Sequence, residues 1–161
     1  MIAAGTVGIV ATNGFALGCI RLGTRSHWNH VVIATGRGTL VEAQPGGVRE
    51  IPDTWYDDCV WLVRQPLTDA QRKAVVAYVD VAALRHTAYN WPAILVFGLR
   101  TFLPWLPRKW LDRWANNRLN TICSELAVNA QRAAGVNLFG DRLAATISPA
   151  GVDVTYRRLG W

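Results

Sequence analysis

Apolar and β-branched residues occupy the first third of the chain in short runs cut by glycine turns. TVGIVAT at 6–12 predicts a buried strand, ended by the turn signal Asn13-Gly14 and followed by FALGCIRLGT, a short helix or helical loop. WNHVVIATGRGTLVEAQPGGVREIP predicts two strands, at about 28–34 and 39–43, joined by the turn TGRG and followed by a second turn at QPGG. CVWLVRQ at 59–65 adds one more strand, and together these runs predict a small, mostly antiparallel sheet.

The pattern then changes period. In LTDAQRKAVVAYVDVAALRHT, Thr68 is placed to cap a helix, Gln71 completes a capping box, and Ala74, Val75, Tyr78, Val79 and Ala82 follow helical spacing. The stretch YNWPAILVFGLRTFLPWLPRKWLDRWANNRLN holds four of the eight tryptophans and three of the seven prolines. It reads either as a kinked helix packed on the sheet or as a hydrophobic lid or membrane-leaning surface across 89–114. Its apolar run WPAILVFGL is too short to span a bilayer. NTICSELAVNAQRAAGV predicts an amphipathic helix opening at Cys123, capped by Asn120 or Thr121, with Glu125 in its first turn and Gly135 as its stop. ISPAGVDVTYRRLGW reads as a Ser-Pro turn and a last short strand. The fold class expected is α+β, a small antiparallel sheet packed against helices, with the cysteine helix lying on the histidine-bearing face.

A chain of 161 residues fits one domain over 1–161, and a hydrophobic share of 51% with 17% charged residues excludes a disordered or low-complexity chain. The net charge of +6 favours acidic partners, but the basic residues form no run of like charge and do not interleave with aromatic residues in a dense stripe, so no specific nucleic-acid partner is expected. Three cysteines, Cys19, Cys59 and Cys123, are an odd number without a CxxC pair, which indicates neither a disulfide framework nor a zinc ribbon. A grouping of Cys19, His27 and His30 matches no strong metal-ligand spacing. The apolar N-terminus lacks a basic region and reads as strand and turn, not as a signal peptide, which makes a cytoplasmic location the default expectation.

Cys123 at a helix start is the first candidate for chemistry. Unpaired N–H groups and the positive end of the helix dipole favour a thiolate there, and the same N–H groups can hold an oxyanion. The competing reading is a small buried filler, because free cysteine is among the most buried residue types. A thiol nucleophile needs a base, and of the three histidines His86 ends a helix and His27 sits in a loop. His30 instead lies inside the apolar strand WNHVVIA, on one face with Val32 and Ala34. On the facing strand TLVEA, Glu42 stands across from His30 if the hairpin pairs 30 with 42, 32 with 40 and 34 with 38. The alternative for Glu42 is a solvated strand-edge carboxylate.

The order SHWNHVVIA, VEA, GGVRE, LTDAQR, YNWPAILVFGL, NTICSELAVNAQRAAGV and SPA spans most of the chain. It resembles the circularly permuted NlpC/P60 group of papain-like cysteine hydrolases, the branch related to lecithin:retinol acyltransferase-like proteins. In that group the histidine strand precedes the cysteine helix. The resemblance implies Cys123 as nucleophile, His30 as base and Glu42 as orienting residue of an acyl-transfer reaction without metal or cofactor. Its implied substrate is a peptidoglycan peptide in a bacterial or phage setting, with a lipid amide or acyl ester as the runner-up and a catalytically inactive binding module as the non-enzymatic alternative. Two departures are the absence of an early Gly-Asp pair in AAGTVG and the presence of Asn29 where a serine usually precedes the histidine.

Overall fold

In the computed structural model, which describes residues 2–12, 26–62, 67–103, 105–115 and 120–160, five strands build one antiparallel sheet. They are β1 (Val7–Val10), β2 (His30–Ala34), β3 (Thr39–Gln44), β4 (Gly47–Pro52) and β5 (Val60–Trp61), in the spatial order β4-β3-β2-β1-β5. The expected helix at FALGCIRLGT, Cys19, and the last residues of the strand expected at 59–65 lie outside the described residues. β4 is an addition to the expected sheet. Its sequence GVREIP does not alternate, because Val48 joins one core cluster and Ile51 the other, so no period-2 signal marks it.

β2 is buried at every position, and side-chain alternation divides the sheet into two apolar faces. Val31, Ile33, Val41 and Ala43 join the main core, while Val10, Val32, Ala34, Leu40 and Ile51 form a smaller cluster on the other side. The β2–β3 register pairs Val32 with Glu42, Ile33 with Val41 and Ala34 with Leu40, two residues away from the expected pairing. The turn is the cause: Thr35 and Thr39 close the hairpin around Gly36-Arg37-Gly38, with both glycines at positive φ (78° and 79°), so the chain pivots on Arg37.

Five helices and two short 3-10 turns, Asp53–Trp55 and Ala144–Thr146, complete the architecture among the described residues. Helix α1 (Asp69–Leu84) begins with the expected capping box of Thr68 and Gln71 and buries Val75, Val76 and Val79. The tryptophan-rich segment is two helices, α2 (Trp91–Phe102) and α3 (Arg108–Ala115), where one kinked helix was expected. Ala93, Ile94, Val96 and Leu111 anchor this pair in the main core. A two-stranded parallel pair, β6 (Ala88–Tyr89) and β7 (Asn120–Thr121), brings the two ends of the segment together. Helix α4 (Cys123–Ala133) follows, and Gly135 (φ 75°) ends it as expected.

The C-terminal segment is helix α5 (Pro149–Arg158), which corrects the strand expected there. Ser148 accepts a hydrogen bond from the Gly151 N–H at 3.1 Å, Pro149 occupies the first helical turn, and Val152 and Tyr156, one turn apart, are buried. The β-branched residues of VDVTY are overridden by this cap and by the apolar spacing. The packing of α4 is a second correction. Cys123, Leu126, Ala127 and Ala130 share the main core with Val31 and Ile33, so α4 covers the face opposite Val32, Ala34 and Glu42. A strand buried on both sides offers two apolar faces, and the sequence pattern does not say which one a helix takes.

Candidate active site

His30 opens β2, and its backbone position is fixed from the preceding residue. The buried Asn29 side chain acts like a strand partner of Thr12, accepting from the Thr12 N–H at 2.8 Å and donating to the Thr12 carbonyl at 2.7 Å. This residue, noted only as a departure in the sequence, extends the pairing of β1 and β2 beyond the end of the sheet.

Glu42 is fully buried, not a solvated strand-edge group, and His30 Nε2 lies 2.6 Å from its Oε2. Three further contacts hold the carboxylate. Arg49 donates to Oε1 from Nε at 2.8 Å and from Nη2 at 2.7 Å, and the Tyr56 hydroxyl donates to Oε2 at 2.6 Å. Arg49 stands directly across from Glu42 on β4, with its guanidinium 5.6 Å from the centre of the Trp55 ring. Sequence reasoning missed Arg49 and Tyr56 because it missed β4 and the short turn after it. Burial pushes the Glu42 carboxyl up, but hydrogen bonding and charge from His30, then the bonds from Tyr56 and Arg49, outweigh it and bring it down to about 2. Burial and the ionised Glu42 push the Tyr56 phenol well above its ordinary value, so it remains a donor.

Cys123 is the first residue of α4, as expected, but Ile122 occupies the capping position because Asn120 and Thr121 are taken by β7. The helix start is closed from inside: Glu125 accepts from the Ile122 N–H at 3.4 Å and from Asn90 Nδ2 at 3.4 Å. The Ser124 hydroxyl donates to the Ile147 carbonyl at 2.5 Å and ties the first turn to the 3-10 turn at Ala144–Thr146. Burial raises the Glu125 carboxyl to about 7 against these lowering bonds.

His30 and Cys123 lie close enough for their charges to interact. With Nε2 donating to the Glu42 carboxylate, Nδ1 is the nitrogen left over, and it has no conventional hydrogen-bond partner among the described residues. Burial acts to lower the His30 imidazole, yet the charge of Cys123, followed by the hydrogen bond and charge of Glu42, raises it to about 9. The side chains are 2% and 1% exposed for His30 and Cys123, so this interaction operates in a largely water-free setting. Of the other two histidines, His27 and His86 are both exposed.

Tyr89 is a further residue that the sequence did not single out. The parallel pairing of Tyr89 with Thr121 sets it two residues from Cys123 across the β6–β7 pair. Its buried hydroxyl has no hydrogen-bond partner among the described residues, and burial together with the Cys123 charge raises its phenol. The neutral O–H is therefore retained as a donor without a partner among the described residues.

A cleft of about 500 Å³ is lined by His30, Arg49, Trp55, Tyr56, Gln44 and Thr12, without Cys123. A larger cleft of about 760 Å³ between α1 and α4 includes Glu125 but neither His30 nor Cys123. No group of three or more His, Cys, Asp or Glu side chains able to hold a metal ion occurs among the described residues. Comparison with models of known protein families and with curated proteins finds no match.

Proposed function

We propose that this protein is a thiol hydrolase of the permuted NlpC/P60 type, cleaving an amide or ester bond through a thioester intermediate. The observation that carries the reading is the buried chain Glu42, His30, Cys123, in which the 2.6 Å contact of Nε2 with Glu42 leaves Nδ1 for the thiol. The finer fold assignment, a permuted papain-like arrangement, is supported by the histidine strand preceding the cysteine helix and by a sheet that offers the orienting carboxylate from the next strand.

In this reaction the Cys123 thiolate attacks the substrate carbonyl carbon, a C–S bond forms, and the carbonyl π pair moves onto oxygen. The Tyr89 hydroxyl and the first N–H groups of α4 stabilise that oxyanion. Collapse of the intermediate breaks the scissile bond, and the imidazolium gives its proton to the leaving amine or alcohol. His30 then takes a proton from water as it attacks the thioester, releasing the acid and regenerating the thiolate. Glu42 fixes the tautomer and stabilises the imidazolium, while Arg49 and Tyr56 keep Glu42 ionised.

A peptidoglycan peptide is the substrate the sequence resemblance favours, and a lipid amide or acyl ester is the second class. The test is mass analysis of products after incubation with purified peptidoglycan fragments and, separately, with N-acyl and O-acyl lipids, for the wild type, Cys123→Ala and His30→Ala. Turnover is expected in the wild type alone, together with a covalent adduct at Cys123. Turnover that persists in Cys123→Ala, or the absence of any cleavage or adduct in the wild type, would overturn the reading.

A further inference from the structure

Helices α2 and α3 present a second face, opposite to the one anchored in the core. Trp91 and Leu95, one helical turn apart on α2, are exposed. Trp110 of α3 is 57% exposed, and Trp105, in the turn between the two helices, is 73% exposed. Lys109 and Arg113 are exposed on α3 beside Trp110, while Leu111 points into the core. Across 91–114 the sequence has four basic residues, Arg100, Arg108, Lys109 and Arg113, against the single acid Asp112.

We infer that this face docks the protein on an anionic lipid bilayer. Indole rings combine an apolar body with an N–H donor and settle at the boundary between headgroups and acyl chains, and neighbouring cations bind anionic headgroups. A protein partner fits less well, since lysine is depleted from the centres of protein interfaces, whereas here Lys109 adjoins Trp110. No helix among the described residues is long and apolar enough to cross a membrane, which matches a helix pair lying on the surface. The docked face reaches toward the β6–β7 pair: the Trp91 ring meets Tyr89 edge-on, with centroids 5.4 Å apart, and Tyr89 pairs with Thr121, two residues before Cys123. Docking does not depend on the hydrolase reading.

The test is flotation with vesicles of phosphatidylcholine alone and of phosphatidylcholine mixed with phosphatidylglycerol. The full chain is compared with Trp105→Ser/Trp110→Ser, Lys109→Glu/Arg113→Glu and, as a control at an exposed apolar residue elsewhere, Leu84→Ser. The wild type and Leu84→Ser are expected to float with the anionic vesicles and to retain part of their binding at high salt. The tryptophan pair should weaken binding by about tenfold or more, and the charge reversal should remove the preference for phosphatidylglycerol. Thermal melting and circular dichroism, expected to be unchanged, separate lost docking from lost folding. Failure of the wild type to float would overturn the inference, as would binding that the tryptophan substitutions leave intact and salt abolishes. Cys123→Ala should float like the wild type, so loss of catalysis and loss of docking are read separately.

Discussion

His30 and Glu42 are joined by a 2.6 Å contact although they do not face each other across the hairpin; the residue opposite Glu42 is Val32. The bond is diagonal, made by two long side chains on one face of adjacent strands. Its geometry depends on the carboxylate being held from the other side, by Arg49 and Tyr56.

Glu42→Gln removes the charge that supports the imidazolium and reverses no packing. Turnover is expected to fall by about 10- to 100-fold with residual activity, and His30, followed by NMR, should titrate well below its value of about 9 in the intact protein. Cys123→Ala should lower the same titration, since the Cys123 charge also raises it. An unchanged His30 titration in both variants would separate the imidazole from both partners.

The same groups give stability a pH signature. His30 is raised above its unfolded value of 6.5, so its contribution is complete below that pH and is lost as pH rises through about 9. Glu42 is depressed from 4.5, so its contribution is present above that value and lost as pH falls toward about 2. Denaturant titrations across this range should show the alkaline loss in the wild type and its absence in a His30→Ala, Cys123→Ala double variant.

Glu125 works in the opposite direction to Glu42. Its folded value of about 7 lies above the unfolded 4.5, so the wild type loses stability as pH rises between the two. Glu125→Gln should be near neutral at about pH 5 and stabilising above about pH 8, by up to roughly 3 kcal/mol for a shift of this size. Equal midpoints for the two proteins at both pH values would show that ionising Glu125 carries no cost in the fold.

Tyr89→Phe separates chemistry from structure because the deleted hydroxyl has no hydrogen-bond partner among the described residues. Stability should stay level or rise slightly, while turnover falls by about 100-fold with little change in KM, as for loss of an oxyanion donor. A mutant with full turnover would remove Tyr89 from the reaction.

Gly8 reports on how tightly the smaller core is filled. A Cβ there would sit 2.5 Å from Cys59 Sγ and 2.9 Å from a Val32 methyl. Gly8→Ala is expected to destabilise by about 1–3 kcal/mol, and adding Cys59→Ala should restore part of the loss because the two sites share one space. Cys59, with its thiol pushed up to about 12 mainly by burial, also serves as an unreactive internal control for alkylation of Cys123.

Local signals carried much of the architecture. The Thr68 cap, the Gly135 stop and the strands around Val7, His30 and Leu40 follow from side-chain period and end chemistry, which act within a few residues. The observed hairpin register differs from the expected one by two residues, and an even shift keeps Glu42 on the face of His30, where a shift of one would have reversed it. What stayed hidden depends on tertiary context. Arg49 comes from a strand that serves two cores at once and Tyr56 from the turn after it, Tyr89 becomes relevant only through its pairing with β7, and the last segment is helical because Ser148 and the buried Val152 and Tyr156 outweigh β-propensity.

The parallel clasp of β6 and β7 makes the chain depart from the site at Asn90 and return to it at Asn120 along the same line. The helices between, α2 and α3, belong to an excursion with coincident endpoints, hung from the clasp that aligns Tyr89 with Thr121. Its inner face adds Ala93, Val96 and Leu111 to the core, but its outer face carries no part of the Glu42, His30, Cys123 chain. Length and composition on that outer side can therefore vary without disturbing the contact of His30 with Glu42.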